Sequence, residues 1–256
     1  MGYLFDKSIN SSGMKVLLIN TYDSDGGAAR ASYRILKSIQ KQDVFAKMFV
    51  QTKRTDDYSI INSSGKIRRL FSMVFGLIDN FQLRFYKQRK LHYWTVGWFP
   101  NGTLIENIKK ENPDILQLHW ISDGFVPVSL LGKIKIPIVW RLSDSWAFTG
   151  GCHVPFACLR YWNGCGNCPQ LGSDKSNDLS HSTFKRKKKH WEKAEITIVA
   201  PSNWMANCAK QSALFSDRNI VMIPPGIDIN VFKPIDKSYT RTILNLPVNK
   251  KIICFM

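Results

Sequence analysis

Long apolar runs are missing from this chain. The longest, residues 70–78, is interrupted by Ser72 and Gly76. It falls far short of the roughly 20 residues that a membrane-spanning helix needs. An apolar leader is missing too. Residues 1–13 are polar, and Met14 stands directly before Lys15-Val-Leu-Leu-Ile19 as a second candidate start, so no secretory signal is read. We therefore expect a disordered leader over 1–13 and a cytoplasmic chain. Acidic residues are scarce, with 19 Asp and Glu against 36 Lys and Arg, giving a formal net charge of +17. Such a field favours polyanions: nucleic acid, anionic membrane or phosphate-bearing small molecules. No internal repeat is present, which removes repeat architectures. Apolar residues themselves are not scarce. At 44% hydrophobic and 12% aromatic content, global disorder is excluded, and 256 residues suffice for one large core, or for one domain and a fragment.

Short apolar runs alternate with helical patterns. Strands are expected at 15–20, 44–50, 59–62, 114–119, 136–142, 196–200 and 220–223. Helices are expected at 28–40, 103–111, 180–194 and 202–212, and a long amphipathic one at 67–89, where Leu70, Phe71, Val74, Phe75, Ile78, Phe81 and Phe85 step by three or four. Asn112-Pro113 ends the 103–111 helix. Strands that read as continuous apolar runs between helices predict a parallel sheet covered on both faces, a doubly wound α/β fold. After Pro224-Pro-Gly226 the pattern restarts with a helix around 239–245 and an apolar strand at 251–255. We read 14–235 as one domain and 236–256 as the start of a second whose remainder is missing.

In an open α/β sheet, ligands bind beyond the carboxyl ends of the strands. That rule selects Gly26-Gly27 after the first strand, His119-Trp120, Ser143-Asp144-Ser145-Trp146, Ser202-Asn203 and Pro225-Gly226. Gly26-Gly27 lets the backbone approach a ligand and opens a helix whose free N–H groups suit phosphate. A plain strand-to-helix turn reads the same way, and no third glycine completes a dinucleotide fingerprint. Asp144 can orient or deprotonate a sugar hydroxyl, with Trp146 as an aromatic wall, or it can cap a helix. His119 can hydrogen-bond a substrate or serve the core. His153 has the same two readings, with metal ligation as a third.

Four of the six cysteines crowd into residues 150–172: Cys152, Cys158, and the pair Cys165-Gly-Asn-Cys168. In a reducing compartment that spacing points to a structural zinc, with disulfides as the rival. Cys208 and Cys254 sit in a helix and a strand and read as buried packing. Lys185-Arg-Lys-Lys-Lys189 lies on a helix and reads as a solvated face. The aromatic and basic residues of 66–93 suit a surface on anionic lipid, or equally a core helix with basic ends.

Several stretches together resemble one branch of the family-four glycosyltransferases. Val139-Trp-Arg-Leu-Ser-Asp-Ser-Trp-Ala-Phe-Thr-Gly-Gly-Cys-His153 and Trp162-Asn-Gly-Cys-Gly-Asn-Cys-Pro-Gln-Leu-Gly172 carry most of the resemblance. Leu118-His-Trp-Ile121, Ala200-Pro-Ser-Asn-Trp204, Ile223-Pro-Pro-Gly-Ile-Asp228 and Phe232-Lys-Pro234 follow the same order. The resemblance implies a retaining transferase of GT-B fold that works without a catalytic metal. Two Rossmann-like domains would face each other, the N-terminal one on the acceptor and the C-terminal one on the nucleotide-sugar donor. It implies Gly27 near the donor diphosphate, Asp144 lining the cleft and Gly226 at the hinge. Gly26, Ser143, Trp146 and Asn203 join these as candidate donor- or acceptor-binding residues. Acceptors of this kind are saccharides or lipid-linked saccharides, which agrees with peripheral contact with anionic membrane. Relatives carry histidine where this chain has Ser143, and His119 is the candidate replacement beside Asp144 in catalysis. With the donor half missing, little transfer by this chain alone is expected. Two rivals stand beside this reading, a zinc-stabilised nucleic-acid-binding protein and a membrane-docking domain without catalysis. Apolar, buried strands weigh against nucleic acid as a partner.

Overall fold

The computed structural model describes residues 13–62, 78–98 and 102–253. Residues 1–12 of the expected leader, residues 67–77 of the 67–89 helix and the end of the 251–255 strand lie outside them. The described residues divide into two units, Met1–Pro224 and Pro225–Met256.

In the first unit the chain alternates strand and helix: β1 (Lys15–Tyr22), α1 (Gly26–Gln40), β2 (Phe45–Thr52), β3 (Ile60–Asn62), α2 (Gly102–Glu111), β4 (Ile115–Leu118), β5 (Ile138–Arg141), α3 (Leu179–Trp191), β6 (Ile196–Ala200), α4 (Asn203–Gln211) and β7 (Asn219–Met222). The strands form one seven-stranded sheet in the order β3-β2-β1-β4-β5-β6-β7, and every pair is parallel. The jump from β3 to β4, on the far side of β1, is the point where the sheet reverses its winding. This is the α/β sheet that the apolar runs predict.

Alternate residues of the central strands feed two cores. Leu17, Ile19, Phe49, Leu118, Trp140 and Ile198 pack on one side with α2, α3 and α4 through Leu104, Phe184, Trp191 and Ala209. Val16, Leu18, Met48 and Val50 pack with Leu36, Tyr33 and Ile35 of α1 in the other. Covering both faces is what makes the strands read as continuous apolar runs.

Local chemistry sets the helix ends. Asn112 closes α2 with φ 46°, a left-handed turn that asparagine tolerates, and Pro113 prevents continuation. Ser202 caps α4 by accepting from the Met205 N–H at 3.2 Å. Asp178 caps α3 by accepting from the N–H groups of Ser180 and His181 at 2.9 and 3.1 Å.

Three expectations change. Residues 78–81 are helical, but they pass into a 3₁₀ turn at Gln82–Phe85 and the helix does not reach 89. Lys187, read as part of a solvated run, is fully buried. Its helical spacing from Thr183, Phe184 and Trp191 places it on the inward side of α3. In the second unit a seven-residue helix, Lys237–Ile243, forms near its expected place, but residues 251–253 carry no strand.

Trp140 is the largest fully buried side chain, set against Trp146, Trp191 and Phe215. Trp140→Ala is expected to cost about 3–5 kcal/mol, read as a lower urea midpoint with unchanged slope. A loss under about 1 kcal/mol would show that this cluster does not hold the two layers together.

Candidate functional site

All seven strands point the same way, so the residues after β1, β4 and β5 share one rim of the sheet. In register, Ile19 stands beside Leu118 and Leu118 beside Trp140, so Asn20, His119 and Arg141 follow as one row. The rim loops are tied across the switch. Thr21 N–H donates to the Trp120 carbonyl at 2.8 Å, and Trp120 N–H donates to Asn20 Oδ1 at 2.9 Å.

Asp144 is the hub of this rim. Its Oδ1 accepts from the Trp146 N–H at 2.8 Å. Its Oδ2 accepts from the Trp120 indole at 2.8 Å and from His153 Nδ1 at 2.6 Å. His153 Nε2 lies 3.0 Å from the Thr95 hydroxyl. Both sequence readings of Asp144 therefore meet here: the carboxylate caps the turn after β5 and also stands at the rim. Its three donors commit it to holding Trp120, Trp146 and His153 in place.

His119 is in the opposite condition. It is buried, and neither ring nitrogen has a partner among the described residues. Burial, and then the neighbouring Arg141, push its pKa down to about 3, so the ring is neutral near pH 7. Arg141, at the end of β5, is 7% exposed and has no carboxylate beside it among the described residues. Burial and Arg34 lower its pKa. The sequence reading missed Arg141, although a cation closing the apolar run Ile-Val-Trp-Arg was the available signal.

The glycines stand at the same rim. Gly26 has φ +80°, and a Cβ on Gly26 or Gly27 would meet nothing within 4 Å. The first turn of α1 is therefore open, flanked by the Asp25–Arg54 ion pair at 2.9 Å. Ser143 is exposed between β5 and Asp144, and Asn203 is exposed at the start of α4, beyond β6. Gly226 belongs to the second unit.

Trp146 does not supply the expected aromatic wall. It is buried in the core, and its indole donates to the Thr95 carbonyl at 2.9 Å. Half-buried Trp120 holds the rim position instead. It stacks on Tyr22 at 5.9 Å with 22° between planes, and Tyr93 lies 5.8 Å away. Tyr22 donates to Asp123 at 2.7 Å, and Tyr93 donates to the same carboxylate. Burial and those hydrogen bonds raise both phenol pKa values, so both rings stay protonated.

Cys152, Cys158, Cys165 and Cys168 line one cavity of about 20 Å³, and all four are free thiols. Burial pushes the Cys152 thiol up to about 12, and it raises Cys165 and Cys168 as well. As the side chains stand, no three histidine, cysteine, aspartate or glutamate groups among the described residues form a metal-holding set. Lys187 lies alongside, its ammonium 3.6 Å from the Trp146 ring centre and donating to the Trp146 and Thr149 carbonyls. Burial lowers its pKa to about 7, against the pull of Cys152, Cys165 and Asp144.

No protein-family model and no curated protein matches the sequence. Structure comparison finds sucrose-phosphate synthase from Thermosynechococcus elongatus, with a TM-score of 0.53 at 13% identity over 92% of this chain. The fold is α/β and Rossmann-like, matching that of a GT-B neighbour. The match takes in 53% of the synthase chain, so this chain spans about half of its neighbour. No described helix is long and apolar enough to cross a membrane.

The buried neutral His119 makes stability depend on acid. Its folded pKa of about 3 lies below the unfolded value of about 6.5, so the unfolded chain binds the proton first. The stabilisation is complete above about pH 6.5 and is lost towards pH 3, at up to about 1.4 kcal/mol per pH unit. His119→Gln is expected to flatten that slope when denaturation midpoints near pH 7 and pH 4.5 are compared. Equal slopes would mean that His119 is solvated or charged in the folded chain.

Proposed function

We propose that this chain is the acceptor-side half of a retaining glycosyltransferase, which moves a sugar from a nucleotide donor to a hydroxyl of a saccharide or lipid-linked saccharide. One observation carries the reading: the open first turn of α1 at Gly26-Gly27 shares a rim with an unpartnered His119 and an aromatic plate at Trp120. An open helix N-terminus suits phosphate, and an aromatic face beside hydrogen-bonding groups suits a pyranose. Likeness to a sucrose-phosphate synthase supports the same class, as does the motif resemblance around 139–172.

In this proposal Trp120 takes the apolar face of the acceptor sugar and neutral His119 hydrogen-bonds one of its hydroxyls. Gly26 and Gly27 bring backbone N–H groups towards the donor diphosphate, while Ser143 and Asn203 extend the polar edge. Asp144 is a positioning residue that fixes the Trp120 and His153 rings. No step here calls on a metal ion. The second unit would begin the donor side, with Gly226 at the hinge. A net charge of +17 would hold the chain near anionic lipid and lipid-linked phosphate at an inner membrane face.

Ligand-observed NMR of this chain against saccharides, lipid-free acceptor analogues and sugar nucleotides tests the reading. Saccharide signals are expected, with weaker ones from sugar nucleotides. Trp120→Ala is expected to weaken saccharide binding about tenfold, and His119→Gln is expected to weaken it while the chain stays folded at neutral pH. Silence from every saccharide and sugar nucleotide would overturn the proposal. Tight nucleic-acid binding that falls steeply with salt would replace it with the basic nucleic-acid reading.

A further inference from the structure

The residues from Gly150 to Gly172 form a long excursion whose described backbone is unusually constrained. Cys165 and Asn167 adopt left-handed φ values of 61° and 47°, and Gly164 and Gly166 lie at 101° and 103°. A Cβ on Gly166 would come within 2.3 Å of the Ser176 carbonyl, and one on Gly150 within 2.4 Å of the Ser180 carbonyl. Cys152, Cys158, Cys165 and Cys168 of this segment line one small cavity.

A second observation points to negative charge at that cavity. Lys187 is fully buried, and among the described residues its ammonium hydrogen-bonds only to the Trp146 and Thr149 carbonyls. Cys152, Cys165 and Asp144 stand near it, and Asp144 already holds three donors. A buried ammonium is costly unless a counter-charge lies close. Neutral thiols do not supply one.

We propose that Cys152, Cys158, Cys165 and Cys168 bind one thiophilic divalent cation, zinc being the natural probe, and that Lys187 offsets one of the two net negative charges of the resulting tetrathiolate centre. Four thiolates on a dication make a net dianionic centre, and a tetrahedral set of four sulfurs is a stable zinc environment. Each metal–sulfur bond forms as one S–H proton leaves to the buffer. The thiols do not stand as a closed set, so binding draws them inward by rotation between staggered rotamers about Cα–Cβ. The cation then fixes the backbone at Cys152 and, through the next residue, the ring of His153 against Asp144. This site is independent of the sugar-transfer reading, and its tests do not depend on catalysis.

The chain is purified from zinc-supplemented medium, its metal content measured by mass spectrometry, and its thiols titrated with an aromatic disulfide reagent under native conditions. About one zinc per chain is expected, with four thiols unreactive until a chelator is added. Cobalt substitution is expected to give thiolate charge-transfer absorption and the visible bands of a tetrahedral site. Cys165→Ser with Cys168→Ser is expected to lose the metal, whereas Cys208→Ser keeps it. Lys187→Met is expected to weaken zinc binding roughly 10- to 100-fold, as loss of a supporting group around a metal does. Metal-free protein with four reactive thiols that stay reactive in added zinc would overturn the proposal, as would two disulfides found by mass mapping. The wild-type measurements decide the question even where the double variant fails to fold.

Discussion

One carboxylate ties the rim together. Asp144 accepts from an indole on the β4 loop, an amide on its own turn and a ring nitrogen from the cysteine segment. Each donor belongs to a different stretch of chain. Trp120 brings the aromatic plate and, through Tyr22, the end of β1. Trp146 brings the core packed under the sheet. His153 brings Thr95 and the antiparallel bridge between Trp94 and Cys152. Charge-assisted hydrogen bonds are stronger than neutral ones, and three on one partly buried group make the arrangement cooperative. Loss of this carboxylate would orphan an indole and an imidazole together, so its cost would exceed that of one hydrogen bond.

Lys187 does on the far side of Trp146 what Asp144 does at the rim. Its ammonium lies over the Trp146 ring and donates to carbonyls on both sides of the 3₁₀ turn Trp146–Phe148. Trp146 is thus fixed by a carboxylate through its amide, a cation against its ring and the Thr95 carbonyl at its indole. That immobility is why it serves as a wall of the core and not as a sugar platform. In the proposed function the ligand-facing aromatic is Trp120, whose indole is anchored but whose ring remains half-exposed.

How much of this was legible follows from which physics is local. The parallel sheet could be read because burial on both faces writes continuous apolar runs, and the common rim follows from strand direction alone. Gly26, Gly27, His119, Ser143 and Asp144 could therefore be placed on the rim by position alone. The partners of Asp144 were not, because Trp120 and His153 lie 24 and 9 residues away from it in sequence and meet it only through tertiary packing. Charge misled in the same way at Lys187: a run of five basic residues reads as solvated, yet the helical period turns one of them inward. Exchanging Trp146 for Trp120 has the same origin, since two tryptophans beside polar residues look alike until the backbone decides which one faces the core. Arg141 was hidden by its strand, where a single cation after three apolar residues reads as a terminus.

The rim and the cysteine segment are therefore not separate features. Cys152 and His153 are neighbours in the chain; one lines the sulfur cavity while the other pairs with Asp144. Any force that orders the sulfurs also orders the imidazole, because the peptide between them leaves only two soft dihedrals per residue. The sheet places Asp144 at the end of β5, but the sheet does not hold His153; the cysteine segment does. Rigidity of the aromatic rim thus depends on that segment, which packs Cys168 and Leu171 with Leu83, Trp94, Val96 and Leu179 in a small core and is held by one buried lysine and the Asp178 cap that also accepts from the Cys168 amide at 2.7 Å. A fold built this way leaves its strand ends at the rim while the stiffness there is supplied from behind, and a change in that loop would act on the rim without altering a rim residue.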